Sequence, residues 1–130
     1  MALAITLAAC GSSGGPSKSS GTQKQSIAGV SANVHGTHDV TGMSAFEIEA
    51  DNFYFEPSVL KGTPGQHLTI TIKNTSGTNH NFTVASQHVN KDLDGGKTET
   101  VSVTFPASGT ISFFCEYHKA SGMAGGLQAG

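Results

Sequence analysis

From Ala45 onward the apolar side chains recur at every second position. AFEIEA sets Phe46, Ile48 and Ala50 on one face and Glu47 and Glu49 on the other. HLTITIK repeats the pattern with Leu68, Ile70 and Ile72, and VSVTF does so with Val101, Val103 and Phe105. A period of two marks strands with one buried face. Shorter candidates are FYF (53–55), NFTV (81–84) and ISFFCEY (111–117), separated by KGTPGQ, NTSGTN, KDLDGGK and PASG. Those separators are rich in residues that accept turn geometry. No long stretch carries helical periodicity, so residues 45–130 predict one all-β domain, an antiparallel sandwich or barrel.

Before residue 45 the pattern changes. Residues 11–44 hold Gly, Ser, Thr, Asn and Gln with few apolar anchors, so burial would not offset the entropy of ordering them, and the expectation is a flexible linker. Residues 1–10, MALAITLAAC, are apolar up to Cys10. The segment is similar to a bacterial lipoprotein signal: Leu7, Ala8 and Ala9 match the small and aliphatic positions ahead of the lipidated cysteine, and the Gly/Ser run matches the tether behind it. It lacks the positive charges and longer apolar run of a secretory leader, so the expectation is the remnant of one. That likeness implies an extracytoplasmic protein, in the periplasm or at the cell surface, held to the membrane only through a lipid on Cys10. Ten residues cannot span a bilayer.

Composition narrows the partners. Seven lysines, no arginine and nine acidic residues leave no basic face for phosphate, which argues against nucleic acid. From Ala45 on, five lysines face eight acids, a balance of minus three that suits weakly steered, transient encounters. There are two cysteines. With Cys10 carrying lipid, Cys115 has no disulfide partner in an oxidising compartment, and an unpaired thiol there needs a reason.

Parity places Ile111, Phe113 and Cys115 on one apolar strand face, so the thiol points inward at the strand's end. Taken alone, a buried cysteine is a small hydrophobe. Its surroundings change that reading. Phe113 to Gly125 reads FFCEYHKASGMAG, which contains C-x2-H-x4-M as Cys115, His118 and Met123. A loop this short can bring a thiolate, an imidazole and a thioether to one ion. SGTNHNFTV adds a second imidazole, His80, at a strand entry. Soft sulfur ligands beside imidazole favour copper, and two His, one Cys and a long axial Met form the set used for electron transfer. Zinc prefers four firm donors, and calcium and magnesium require oxygen. His35 and His38, in VHGTHD, and Met43 carry no comparable constellation.

On FYFEP, on His80–Asn81 and on FFCEYHKASGM, residues 45–130 resemble the cupredoxins, or blue copper proteins, most closely the plastocyanin-like branch. The resemblance implies a Greek-key β-sandwich. It also implies one copper ion cycling between Cu(I) and Cu(II), with His80, Cys115 and His118 as equatorial ligands and Met123 as the axial one. Asn81 would support the site: its backbone amide bonds the cysteine sulfur and its side chain ties two loops together. A flat patch of small residues around His118, namely Ala120, Gly122 and Ala124, is expected to pass electrons during brief docking with redox proteins. No acidic cluster beyond Glu116 is evident near it. The implied function is a monomeric electron carrier and not an enzyme, because four protein donors leave copper no open position for a substrate. The competing function is copper storage or delivery.

Overall fold

The computed structural model describes residues 23–130, so Cys10 and the suggested leader lie outside the described residues. The described residues form twelve strands. They are β1 (Gln23–Ile27), β2 (Val30–Val34), β3 (Thr37–Asp39), β4 (Ala45–Asp51), β5 (Tyr54–Glu56), β6 (Val59–Gly62), β7 (His67–Asn74), β8 (His80–Val84), β9 (Val89–Leu93), β10 (Thr98–Thr104), β11 (Gly109–Phe114) and β12 (Ala124–Ala129). Two single 3₁₀ turns, at Ala85–Gln87 and Lys119–Ser121, are the helical segments among the described residues.

The alternating segments form the sandwich as expected. One sheet has the order β10-β7-β4-β5 and the other β3-β6-β12-β11-β8-β9, and the jumps in strand order show that the chain crosses between the layers. The pairing is mixed, not purely antiparallel: β4 runs parallel to β7, and β6 runs parallel to both β3 and β12. Between the sheets lie Ile48, Leu68, Ile70 and Ile72 from the first layer and Phe82, Phe113 and Leu127 from the second, all within 1% of full burial. Phe55, Phe82 and Phe113 pack ring to ring with centroids 4.8–5.6 Å apart. Such aromatic pairs contribute about 0.5–1.5 kcal/mol each beyond their buried area. The triad lies directly beneath the end of the sandwich where β8 begins and β11 stops.

Two segments depart from the expectation. The proposed linker of residues 11–44 is strand from Gln23: β1 and β2 form a hairpin in register from Gln23↔Val34 to Ile27↔Val30, and β3 joins the large sheet. Composition misled here because so few apolar residues are required. Ile27 and Ala32 pack with Ala124, flanked by Val30, Val34, Val59 and Phe114. A two-stranded hairpin is marginal alone but gains stability when it lies on another sheet. Its two-residue loop, Ala28–Gly29, has φ of 49° and 86°, the pair of positive angles that matches the twist of a tight hairpin.

The second is β12, whose AGGLQA carries no apolar alternation and is not among the candidate strands. It is a buried strand between β6 and β11. A Cβ on Gly125 would stand 2.1 Å from Ser58 O and 2.6 Å from Phe113 Cζ. Here glycine marks close approach of backbones, not flexibility.

Candidate metal centre

Two arms meet at one end of the sandwich. The first is the start of β8. Before it, Asn74 orders the turn: Nδ2 donates to the carbonyls of Thr78, Leu93 and Asp94, and Oδ1 accepts from Ser76 N and Oγ. His80 then enters the strand paired with Leu93, and both His80 and Asn81 are fully buried. The second arm is the loop from Cys115 to Met123. It is a string of turns: His118 N donates to Cys115 O at 3.1 Å, Ser121 N to His118 O at 2.9 Å, Gly122 N to Lys119 O at 2.9 Å, and Met123 N to His118 O at 3.2 Å. Cys115 N closes it on Met123 O at 3.0 Å. Cys115 and Met123 are both fully buried.

The arms converge on a common point. One ligand atom each from His80, Cys115 and His118 lies within 4.8 Å of the others, and this is the one such group of His, Cys, Asp and Glu among the described residues. His80 Nδ1 is 3.2 Å from His118 Nδ1, and Cys115 Sγ is 3.5 Å from the same His118 nitrogen. The outward nitrogen of His80, Nε2, sits 3.0 Å from Asn52 Oδ1. An amide oxygen only accepts, so Nε2 carries the proton and Nδ1 keeps its lone pair.

The electrostatics favour the same state. Burial lowers the His80 pKa below its ordinary value, helped by the neighbouring His118 and opposed by Asp51, so the ring is held neutral. Burial raises the Cys115 thiol pKa, and the neighbouring backbone amides of Tyr117, His118 and Asn81 oppose that rise. A thiol buried in this way ionises once a cation arrives to hold the thiolate.

Asn81 joins the arms. Its Oδ1 accepts from Glu116 N at 3.2 Å and from the Thr83 hydroxyl, and its Nδ2 faces Asn90 Oδ1, Asp92 Oδ1 and Glu116 Oε2. Two neighbours were not singled out from sequence. Asn52 orients His80, and Phe53, 38% exposed, lies 4.7 Å from the His118 ring and edge-on to His80 at 6.2 Å. FYFEP showed the strand but gave no sign that its leading corner covers the imidazoles.

The expected surface patch is corrected. Ala120 is exposed, but Gly122 and Ala124 are buried, because the β1–β2 hairpin lies against them. The large apolar groups that reach the surface beside the half-buried His118 are Phe53 and Tyr117, the latter 53% exposed. The acidic surroundings are also richer than expected: Asp92 and Asp94 line a shallow pocket with Thr78, Asn79, His80, Tyr117 and His118. The Tyr117 hydroxyl donates to Asp92 at 2.7 Å, which pushes the Tyr117 pKa up to about 12. His35 and His38 do not join the site. Their rings stack on Tyr54 and Phe46.

A buried mixed sulfur and imidazole set at the rim of a β-sandwich defines a class, and a cupredoxin-like domain model matches residues 21–127. The chain therefore belongs to the cupredoxin-like family. Within it, the chain is plastocyanin-like. It is 33% identical over 89 residues to plastocyanin of Sambucus nigra, an alignment covering 59% of this chain and 88% of that protein. To the chloroplast plastocyanin of Hordeum vulgare it is 36% identical over 81 residues, 55% of this chain and 51% of the relative, so the chain spans about half the length of that relative. Among solved structures, auracyanin A, a blue copper protein of Chloroflexus aurantiacus, superposes with a TM-score of 0.53 at 23% identity, covering 71% of this chain and 99% of that one. The metal-binding domain of a Cu(I)-exporting P-type ATPase from Streptococcus pneumoniae reaches 0.61 at 11% identity, covering 72% and 95%. At those identities the likeness establishes the fold.

Proposed function

We propose that this protein carries single electrons on one copper ion held by His80, Cys115, His118 and Met123, passing them between redox proteins outside the cytoplasmic membrane. The observation that carries this reading is the convergence of the three nitrogen and sulfur donors within 4.8 Å, with His80 and Cys115 buried. The donor chemistry fits copper: a thiolate and two imidazoles, with a buried thioether at the end of the same loop, suit a soft ion of variable charge. Bound copper would supply a centre that gains and loses one electron.

The chain's own residues do the rest. Asn52 fixes His80 in the tautomer that offers Nδ1. The aromatic triad and the Asn81 network resist rearrangement of either arm, which keeps the cost of changing charge small. Phe53 packs on the His118 ring and Tyr117 precedes it in the loop, and the half-buried ring is the proposed route to a docked partner. The surface there is small and carries negative charge, which suits brief encounters with a positively charged partner. The lipid anchor at Cys10 is the matching proposal for the N-terminus, and mass analysis of the mature protein tests it.

The function is tested by adding Cu(II) to the purified protein and recording its visible spectrum. An intense thiolate-to-copper band that bleaches with a one-electron reductant and returns on reoxidation is expected, with none in Cys115→Ser. A colourless wild-type protein overturns the proposal. Copper lost to a chelator within seconds would favour storage or delivery instead, a reading that the burial of Cys115 weighs against.

A further inference from the structure

The loop that carries three of the four proposed ligands does not satisfy its own backbone. Its internal bonds use the amides of His118, Ser121, Gly122 and Met123, yet none of them takes the carbonyls of Ser121 or Gly122. A residue distant in sequence takes both. Asn33, in β2, donates its backbone N–H to Gly122 O at 2.7 Å and its side-chain Nδ2 to Ser121 O at 2.9 Å. The same Nδ2 donates to Phe53 O at 2.9 Å, in the corner that covers His80 and His118. An amide nitrogen has two hydrogens, so these two carbonyls use it fully.

We infer that Asn33 is a positioning residue that clasps the ligand loop and the Asn52–Phe53 corner to the β1–β2 hairpin, so that the hairpin holds the shape of the site. The inference rests on the reading of that loop as a metal loop. Three observations support it. Gly122 adopts φ +94°, and a Cβ there would stand 2.7–2.8 Å from the Asn33 side-chain amide, so the amide lies flush against the loop where only glycine leaves room. The clasp is itself anchored, since His35 N donates to Ser58 Oγ at 2.7 Å and the His35 ring stacks on Tyr54 at 3.7 Å. The hairpin is also seated, through Ile27 and Ala32 against Ala124, the residue that follows Met123.

The chemistry separates a clasp from a space filler. Asn33→Asp keeps size and shape but turns both donors into acceptors facing two carbonyls, whereas Asn33→Ala removes the donors without adding repulsion. The full chain is compared with both variants and with Ser31→Ala, an exposed change elsewhere in the hairpin. Hydrogen exchange is followed at amides 119–123 without metal, and loss of Cu(II) to a chelator is followed by the visible band. Exchange and copper loss are expected to accelerate about tenfold in Asn33→Asp, several-fold in Asn33→Ala and not at all in Ser31→Ala. Amides in β7 and β10 are expected to keep their protection. Asn33→Asp indistinguishable from wild type in loop exchange overturns the clasp, and so does an equal loss of protection in β7 and β10, which would make Asn33 a general stabiliser. A wild-type protein without the visible band, but with the expected order of loop exchange, leaves the clasp standing and removes the metal reading.

Discussion

The two arms of the site are held in place by different means. His80 and Asn81 begin a strand buried along its whole length and laddered to β9, so their placement follows from the sheet. The Cys115–Met123 arm leaves the sheet at Phe114 and does not re-enter it until Ala124. Its shape depends on turns and on bonds lent by Asn81 and Asn33. The strand arm is insensitive to local changes that leave the core intact, while the loop arm is exposed to changes at remote residues.

Removing what both arms share should have the largest effect. Phe113 lies under both and touches Phe55 and Phe82, so Phe113→Ala is expected to cost about 3–5 kcal/mol in denaturant unfolding and to disturb both imidazoles together. Next comes a change confined to the loop. Gly122→Ala forces an alanine into the left-handed region and against Asn33, with an expected cost of about 1–2 kcal/mol for the backbone alone. It should alter the copper spectrum while the NMR signals of β8 stay in place.

Much of this contrast was legible in the chain. Alternation at 46–50, 68–72 and 101–105 identified the sandwich because those strands bury one face each. The ligand set was legible because Cys115, His118 and Met123 are close in sequence and chemically unusual together. The clasp was not, because Asn33 sits in a polar segment whose order depends on two small contacts, Ile27 and Ala32, with a strand almost 100 residues away. β12 was hidden for a related reason: tight packing against Ser58 and Phe113 selects glycine, which erases the hydrophobic alternation. Asn52 gave no signal because its role is one hydrogen bond across 28 positions.

Smaller effects sharpen the strand arm. Asn52→Ala removes the acceptor of His80 Nε2–H, with an expected cost of about 0.5–1.5 kcal/mol. Nitrogen chemical shifts of His80 in the metal-free protein should then show a mixture of tautomers where the wild type shows one. The smallest effect belongs to the surface. The Asp92 carboxyl is held below its ordinary value of 3.8 by the Tyr117 hydroxyl and then by Asn81. Its stabilising contribution is therefore complete above pH 3.8 and disappears as pH falls through the lowered folded value. Tyr117→Phe should move the Asp92 titration back toward 3.8 and shrink that acid-side loss, read by NMR titration of the carboxyl, while the copper band hardly changes.

The central claim is that two differently built arms hold one copper ion in a geometry that barely changes with its charge. X-ray absorption at the copper edge, on the oxidised and the reduced protein, tests it directly. The account predicts two nitrogen ligands and one short sulfur ligand in both states, with small changes in distance. A ligand gained or lost on reduction, or oxidised copper with no short sulfur ligand, would contradict it.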